Sequence, residues 1–273
     1  MSCELEVIER KSTLPTNRPP LLFVHGLGHG AWCWAEHFLD YFAEQGFDAY
    51  ALSLRGHGRS GGRDALRWTS IADYVDDVER TAAGLPRAPV VVGHSLGGMV
   101  VQHYLQRHAP AAAVLVAPAP PGGMPLHTTR LFLENPLLAL EIFITREPGR
   151  LFSTPERASK FLFSSELAEE TLQRYAAQLG GDSFRALLEL TYRRPDPARV
   201  GETPLLVLAG SRDCLTPPST ARRTANVYGA ELHILPDIAH DLMLDTHWRR
   251  AADAMHEWLI GRIHRGSVPG HAN

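Results

Sequence analysis

The stretch Val90-Val91-Val92-Gly93-His94-Ser95-Leu96-Gly97-Gly98 joins an apolar run to a helix-forming segment through one serine with a glycine two residues to either side. The three valines read as a buried strand. If Ser95 occupies a sharp strand-to-helix corner with positive φ, the chain on its two sides passes so close that side chains at 93 and 97 would clash, which accounts for glycine at both. Such a G-x-S-x-G corner lifts a serine Oγ above the carboxyl edge of a sheet and leaves the next backbone N–H, that of Leu96, free to face a developing oxyanion. A glycine-rich turn with an incidental serine is the competing reading. The strand before and the helix after favour the elbow, and the rest of the chain must supply a base, an acid and a second donor.

The chain is α/β throughout. Upstream, residues 3 to 10 alternate weakly as an edge strand, and Pro15, Pro19 and Pro20 lead into Leu21-Leu22-Phe23-Val24, a buried parallel strand. A helix to about Glu44 and a strand from Phe47 to Leu54 complete one βαβ unit. The loop Arg55 to Gly62 and a helix near 70 to 84, with Ile71, Val75 and Val78 on one face, lead back to the elbow. Downstream, Ala112 to Ala117 is a short strand that Pro118 to Gly123 ends. From Met124 to about Gly201 only helical patterns follow: Thr128 to Thr145, Pro155 to Phe163, Glu166 to Leu179 and Ser183 to Tyr192. Strand character resumes at Leu205 to Ala209, then a helix near 217 to 228, a strand at Glu231 to Leu235 and a helix from about Thr246 to Ile263, with a loose tail after Arg265. The expected organisation is a core of residues 1–123 and 202–273 with a helical cap inserted at 124–201.

A chain of 273 residues is long enough for one large core. With 27 basic and 30 acidic residues, a net charge of −3 and no long like-charge run, nothing suggests a nucleic-acid or membrane-surface partner. Cys3, Cys33 and Cys214 are odd in number and widely spaced, as reduced thiols of a cytoplasmic protein would be. The first residues lack a signal-peptide pattern, and no run approaches membrane-spanning length.

In a doubly wound sheet the working residues sit at the carboxyl ends of strands. Asp213 follows the strand 205 to 209 within Gly210-Ser211-Arg212-Asp213, and His240 follows the strand 231 to 235. A serine hydroxyl is a poor nucleophile at neutral pH. His240 is expected to take the Ser95 proton and later protonate the leaving group, and Asp213 to fix the imidazole tautomer and stabilise the imidazolium. Asp237, Asp241 and Asp245 compete as the acid, but each lies too close to the histidine in sequence to cross over and orient it. His25, His57 and His94 read as hydrogen-bonded turn residues, with no metal-ligand spacing, so neither a metal nor a cofactor is expected. Gly26-x-Gly28-x-x-Ala31 fits a relaxed dinucleotide fingerprint. The next strand ends in Ala51-Leu52-Ser53-Leu54 with no acidic ribose ligand, and a dinucleotide fold leaves the elbow, Asp213 and His240 unexplained.

His25-Gly26, Gly56-His57-Gly58-Arg59-Ser60, Gly93-His94-Ser95-Leu96-Gly97, Gly210-Ser211-Arg212-Asp213 and Ala239-His240 resemble the landmarks of the α/β-hydrolases in order and spacing, over nearly the whole chain and most weakly over 124 to 200. The run His25 to Trp34 is similar to plant methylesterases and hydroxynitrile lyases, and the whole resembles capped serine esterases of the methylesterase and lysophospholipase-like kind. The resemblance implies an α/β-hydrolase fold and makes the Leu27 N–H the second oxyanion donor beside Leu96. Ser53 departs from it, since many relatives carry an aspartate before the Arg-Gly-His-Gly loop, and the loop's usual anchoring is expected to be weakened. Serine at 95 argues against relatives with an aspartate nucleophile. Gly26 and Asp241 stand where hydroxynitrile lyases carry a threonine and a lysine.

The expected reaction is hydrolysis of a small to medium apolar carboxylic ester through an acyl-enzyme on Ser95. The candidate pocket residues are His25, Gly26, Trp32 and His94 from the core and Phe132, Phe143 and Phe161 from the insertion. Helix–sheet packing is the commoner use of an aromatic such as Trp32. Lactone, amide or carbon–carbon bond cleavage and cofactor-free perhydrolysis use the same constellation, and a ligand receptor with slow turnover is a reading from a different class.

Overall fold

β4 (Val90–His94) is buried at every residue and pairs in parallel on both sides, with β2 (Leu21–Val24) and β5 (Ala112–Val116). A strand covered on both faces needs no polar face, and these runs accordingly consist of Val, Leu, Ala and Phe almost throughout. A computed structural model of the chain describes residues 3–124, 129 and 132–266. Its sheet has seven strands in the order β1-β3-β2-β4-β5-β6-β7, where β1 is Val7–Arg10, β3 Ala49–Leu52, β6 Leu205–Gly210 and β7 Glu231–Leu235. All pairings are parallel except that of the edge strand β1 with β3.

The chain leaves β2 toward β3 on one side and returns to place β4 on the other. The carboxyl ends of β2 and β4 therefore adjoin at the point where the strand order reverses, which is where a doubly wound sheet opens a crevice. The helix expected up to Glu44 is two helices, α1 (Trp32–Ala35) and α2 (Phe38–Glu44), broken at His37 where φ is −141°. The His37 ring stacks on Trp248 with centroids 4.5 Å apart, a tertiary contact that no local pattern announces. α3 (Ile71–Ala83) starts at a capping box between Ser70 and Asp73 and buries Ile71, Tyr74, Val75 and Val78, the i, i+3, i+4, i+7 face of a helix against a sheet. α4 (Leu96–Tyr104) follows β4 directly.

Between β5 and β6 the described residues form α5 (Pro136–Thr145), α6 (Pro155–Leu162), α7 (Glu169–Ala176) and α8 (Phe184–Tyr192), with short 3₁₀ turns and no strand. The helical pattern read from Thr128 falls partly on residues outside those described. Leu138, Ile142, Phe152, Phe161, Leu172, Tyr175 and Phe184 of this inserted segment belong to the same buried cluster as the sheet. After β6 come α9 (Pro218–Tyr228), β7 and α10 (Trp248–Gly266); the tail beyond lies outside the described residues. No described helix is long and apolar enough to cross a membrane.

The Arg-Gly-His-Gly loop is anchored by Glu6, the residue just before β1, rather than weakened. Ser53 Oγ donates to Glu6 Oε2 at 2.7 Å and accepts the Ala31 N–H at 2.8 Å. Glu6 also accepts Arg59 N–H and Arg59 Nε. Glu6, the residue just before the edge strand, thus supplies a carboxylate at the place where the family pattern leads one to expect an aspartate at 53.

Candidate active site

Ser95 has φ 52° and ψ −112°, a conformation that costs a non-glycine residue of order 1–3 kcal/mol and is held by its surroundings. Its N–H donates to the Val116 carbonyl and its own carbonyl accepts from Met99 and Ala119, tying the corner to β5 and α4. A Cβ on Gly93 would sit 2.5 Å from the Gly97 carbonyl oxygen, and one on Gly97 would strike the carbonyl oxygens of His25 and Val24. Gly26 is as tightly constrained, because a Cβ there would lie 2.7 Å from His94 Nδ1 and 3.1 Å from Ser95 Cβ. The register Val24↔Gly93 sets the loop after β2 beside the corner after β4.

Asp213 and His240 come together from the ends of β6 and β7. His240 Nδ1 faces Asp213 Oδ2 at 2.8 Å, and both side chains are buried. The other Asp213 oxygen accepts the N–H groups of Leu215 and Thr216, each at 2.8 Å. Gly210 lets the histidine loop cross the end of β6, since a Cβ there would strike the carbonyl oxygens of Ile238 and Ala239. Burial alone would depress the His240 pKa, but Asp213 outweighs it through charge and hydrogen bonding and raises the pKa above the ordinary value. Among the described residues no hydrogen bond joins Ser95 Oγ to His240. A serine rotor closes that last link on binding in many such sites.

His25, His94 and His29 are structural partners of the site. His25 Nε2 accepts the Leu54 N–H at 3.0 Å, so its proton lies on Nδ1, which donates to the Gly26 carbonyl at 2.8 Å. His94 is fully buried with Nε2 3.1 Å from the His240 carbonyl, and burial followed by repulsion from His240 pushes its pKa down to about 3. His29 places Nδ1 at 2.9 Å from the Leu27 carbonyl and Nε2 at 2.9 Å from Asp241 Oδ2. Asp241 thus serves the β2 loop, and Asp245 accepts from Ala239 and His247 N–H groups. Ligand atoms of His94, His240 and Asp241 lie within 4.8 Å of one another, the one such group of three among the described residues with metal-binding spacing. His240 is already committed to Asp213 and Asp241 to His29.

An apolar pocket of about 90 Å³ is lined by Leu27, Ser95, Leu96, Ala119, Met124, Phe132, Ile142, Pro148, Leu151, Phe152, Leu187, Leu190, Leu215 and Thr216. It brings together Ser95, Leu27, Leu96 and Phe132 of the residues expected from sequence. The others sit elsewhere. His25, Gly26 and His94 do not line it, His25 and His94 being fully buried, and Phe161 packs against the ammonium of Lys160. Phe143 is half exposed and touches Phe132 and Phe184. Trp32 lines a separate polar cleft of about 730 Å³ with Gly28, His57, Arg63, Arg67 and Arg146. Sequence reasoning missed Thr216, whose Oγ1 lies 2.7 Å from Asp213 Oδ2, and the buried Asp182, which faces His57 at 3.1 Å. Nothing local in sequence marks either residue.

This fold, with a strained serine at the switch-point corner and a buried acid–histidine pair beyond it, defines an α/β-hydrolase, and residues 21–254 match the model of the alpha/beta hydrolase family. The chain belongs to that family. It is 26% identical over 264 residues to a monoacylglycerol lipase of Mycolicibacterium smegmatis, covering 90% of this chain and 89% of that one. A non-heme haloperoxidase of Rhodococcus erythropolis is 26% identical over 248 residues, covering 82% and 86%. An esterase from Exiguobacterium antarcticum shares the fold with a TM-score of 0.73 at 17% identity, over 94% of this chain and 96% of that one. These relatives are named as a lipase, a haloperoxidase and an esterase.

Proposed function

We propose that the chain is a serine carboxylesterase. Ser95 Oγ attacks the ester carbonyl, His240 takes its proton and passes it to the leaving alcohol, and Asp213 holds the imidazole and offsets its charge. The N–H groups of Leu27 and Leu96 donate to the developing oxyanion; neither has a protein acceptor among the described residues. Water activated by His240 then releases the acid. The buried His240–Asp213 contact of 2.8 Å carries this reading, because a neutral histidine turned toward an acid at its Nδ1 offers its other nitrogen as a base. We read the inserted helices as a cap. The apolar pocket they roof, about 90 Å³ in volume, suits a short acyl chain better than a long one and offers no charged partner for a polar substrate.

The test is hydrolysis of p-nitrophenyl esters graded by acyl length, run on wild type and Ser95→Ala, with fluorophosphonate labelling of the intact protein. Ser95-dependent turnover that falls with acyl length is expected. Turnover that survives Ser95→Ala, or absence of labelling, would overturn the reading. The haloperoxidase relative favours one second reading, in which hydrogen peroxide replaces water at the acyl-enzyme and a peracid leaves. Peroxide-dependent peracid formation that outpaces hydrolysis would select it.

A further inference from the structure

Gly28 lies in the loop that carries Leu27, yet both of its backbone hydrogen bonds run to the inserted segment. Its N–H donates to Asp182 Oδ2 at 2.7 Å, and its carbonyl accepts the Gly180 N–H at 2.8 Å. The Leu27–Gly28 peptide is planar, so holding the Gly28 N–H also holds the Leu27 carbonyl, which His29 Nδ1 meets from the other side at 2.9 Å. The preceding peptide is held through the Gly26 carbonyl, which accepts from His25 Nδ1 at 2.8 Å and from the His29 N–H at 3.3 Å. In a trans peptide the Leu27 N–H then faces away from those donors. The direction of that N–H is set by partners on both peptide planes, and one set of partners comes from outside the sheet.

Asp182 is built as an anchor. Its side chain is fully buried, with Oδ1 accepting the Ser183 N–H at 2.6 Å and the Tyr74 hydroxyl at 3.3 Å. Its other oxygen, Oδ2, carries the Gly28 N–H and lies 3.1 Å from His57 Nε2. A buried carboxylate is costly unless every lone pair finds a partner. Here the partners come from the segment itself, from α3, from the Arg-Gly-His-Gly loop and from the β2 loop. Burial would raise its pKa, but His57 and the two N–H donors hold the carboxyl below the ordinary value.

We propose that Asp182 is a positioning residue: through it and Gly180 the inserted segment fastens the Leu27–Gly28 peptide, so that the donor side of the oxyanion hole is completed from outside the sheet. The role of the hole rests on the esterase reading above; the fastening itself does not. Loss of one oxyanion donor costs about 10²–10³-fold in kcat, and misplacement by about 1 Å costs about 10²-fold, so loosening the loop is expected to cost about ten- to a hundredfold.

The experiment uses the full chain as wild type and as Asp182→Asn. The double variant Asp182→Asn/His57→Gln is added because the single change leaves His57 buried without its carboxylate. Amide hydrogen exchange of residues 26–29 is measured with kcat and KM on p-nitrophenyl butyrate. Both variants are expected to exchange at Gly28 at least about tenfold faster, with the central strands unchanged, and to lose about ten- to a hundredfold in kcat with KM within about threefold. Unchanged exchange at Gly28 overturns the proposal, as does faster exchange with kcat within twofold. A parallel rise of exchange across the central strands in both variants also overturns it, since Asp182 would then serve general stability. Absence of Ser95-dependent turnover in wild type sinks the esterase reading instead, and the exchange measurement then decides the fastening by itself.

Discussion

Thr216 Oγ1 lies 2.7 Å from Asp213 Oδ2, the same oxygen that faces His240 Nδ1 at 2.8 Å. The hydroxyl therefore shares in orienting the acid of the proposed triad, and it also reaches the Ala117 carbonyl at 3.1 Å. Thr216→Val keeps the shape and removes the hydroxyl. We expect kcat to fall about three- to tenfold with little change in KM, and stability to drop by about 1 kcal/mol. Steady-state kinetics with urea unfolding checks both; unchanged kcat would show that the backbone N–H groups alone hold Asp213.

His240 must be neutral to act as a base, and Asp213 raises its pKa above the usual 6.5 against the pull of burial. The acid limb of kcat/KM is therefore expected above pH 6.5 in the free enzyme. Asp213→Asn removes the charge that outweighs burial, so the surviving activity should show its acid limb at lower pH, with kcat at least about a hundredfold reduced. A pH–rate profile of both proteins decides; an unshifted limb would mean that the titrating group is not His240.

His94 is buried with its pKa pushed down to about 3, first by burial and then by His240. Its folded-state pKa lies below the unfolded value of about 6.5, so the stability it contributes is present above pH 6.5 and is lost as pH falls toward 3. Between pH 6.5 and 5 the loss is about 2 kcal/mol from this group. His94→Gln should flatten that part of the stability profile, as urea unfolding at pH 7 and pH 5 would show. Equal slopes in the two proteins would rule out His94 as the source.

Glu6 occupies the space that a carboxylate on residue 53 would need. Ser53→Asp, the residue expected from the family pattern, would set a second negative charge against Glu6 Oε2, where the serine hydroxyl now donates. A loss of about 1–3 kcal/mol is expected. Adding Glu6→Gln should recover most of it, giving a coupling energy opposite in sign to the single change. Thermal unfolding of the two single variants and the double variant closes the cycle.

The order of strands and helices, the strained corner at Ser95 and the choice of Asp213 and His240 as candidates were all legible in the chain, because each rests on local periodicity, close backbone approach or position at a strand end. The βαβ alternation left few ways to wind the sheet, and G-x-S-x-G has a steric cause that two glycines announce. Local pattern could not supply the partners that long-range folding brings: the break at His37 against Trp248, Glu6 reaching Ser53, His29 on Asp241 and Thr216 behind Asp213. The inserted segment was the least readable. Its apolar residues were plain, but amphipathic helices do not say which face meets a pocket and which meets solvent, so Phe132 lines the Ser95 pocket while Phe143 stays half exposed. Sequence by itself determined the sheet and the candidate chemistry at its switch point. Tertiary structure alone decided what surrounds that chemistry, because a buried carboxylate such as Asp182 takes its meaning from hydrogen-bond partners more than a hundred residues away.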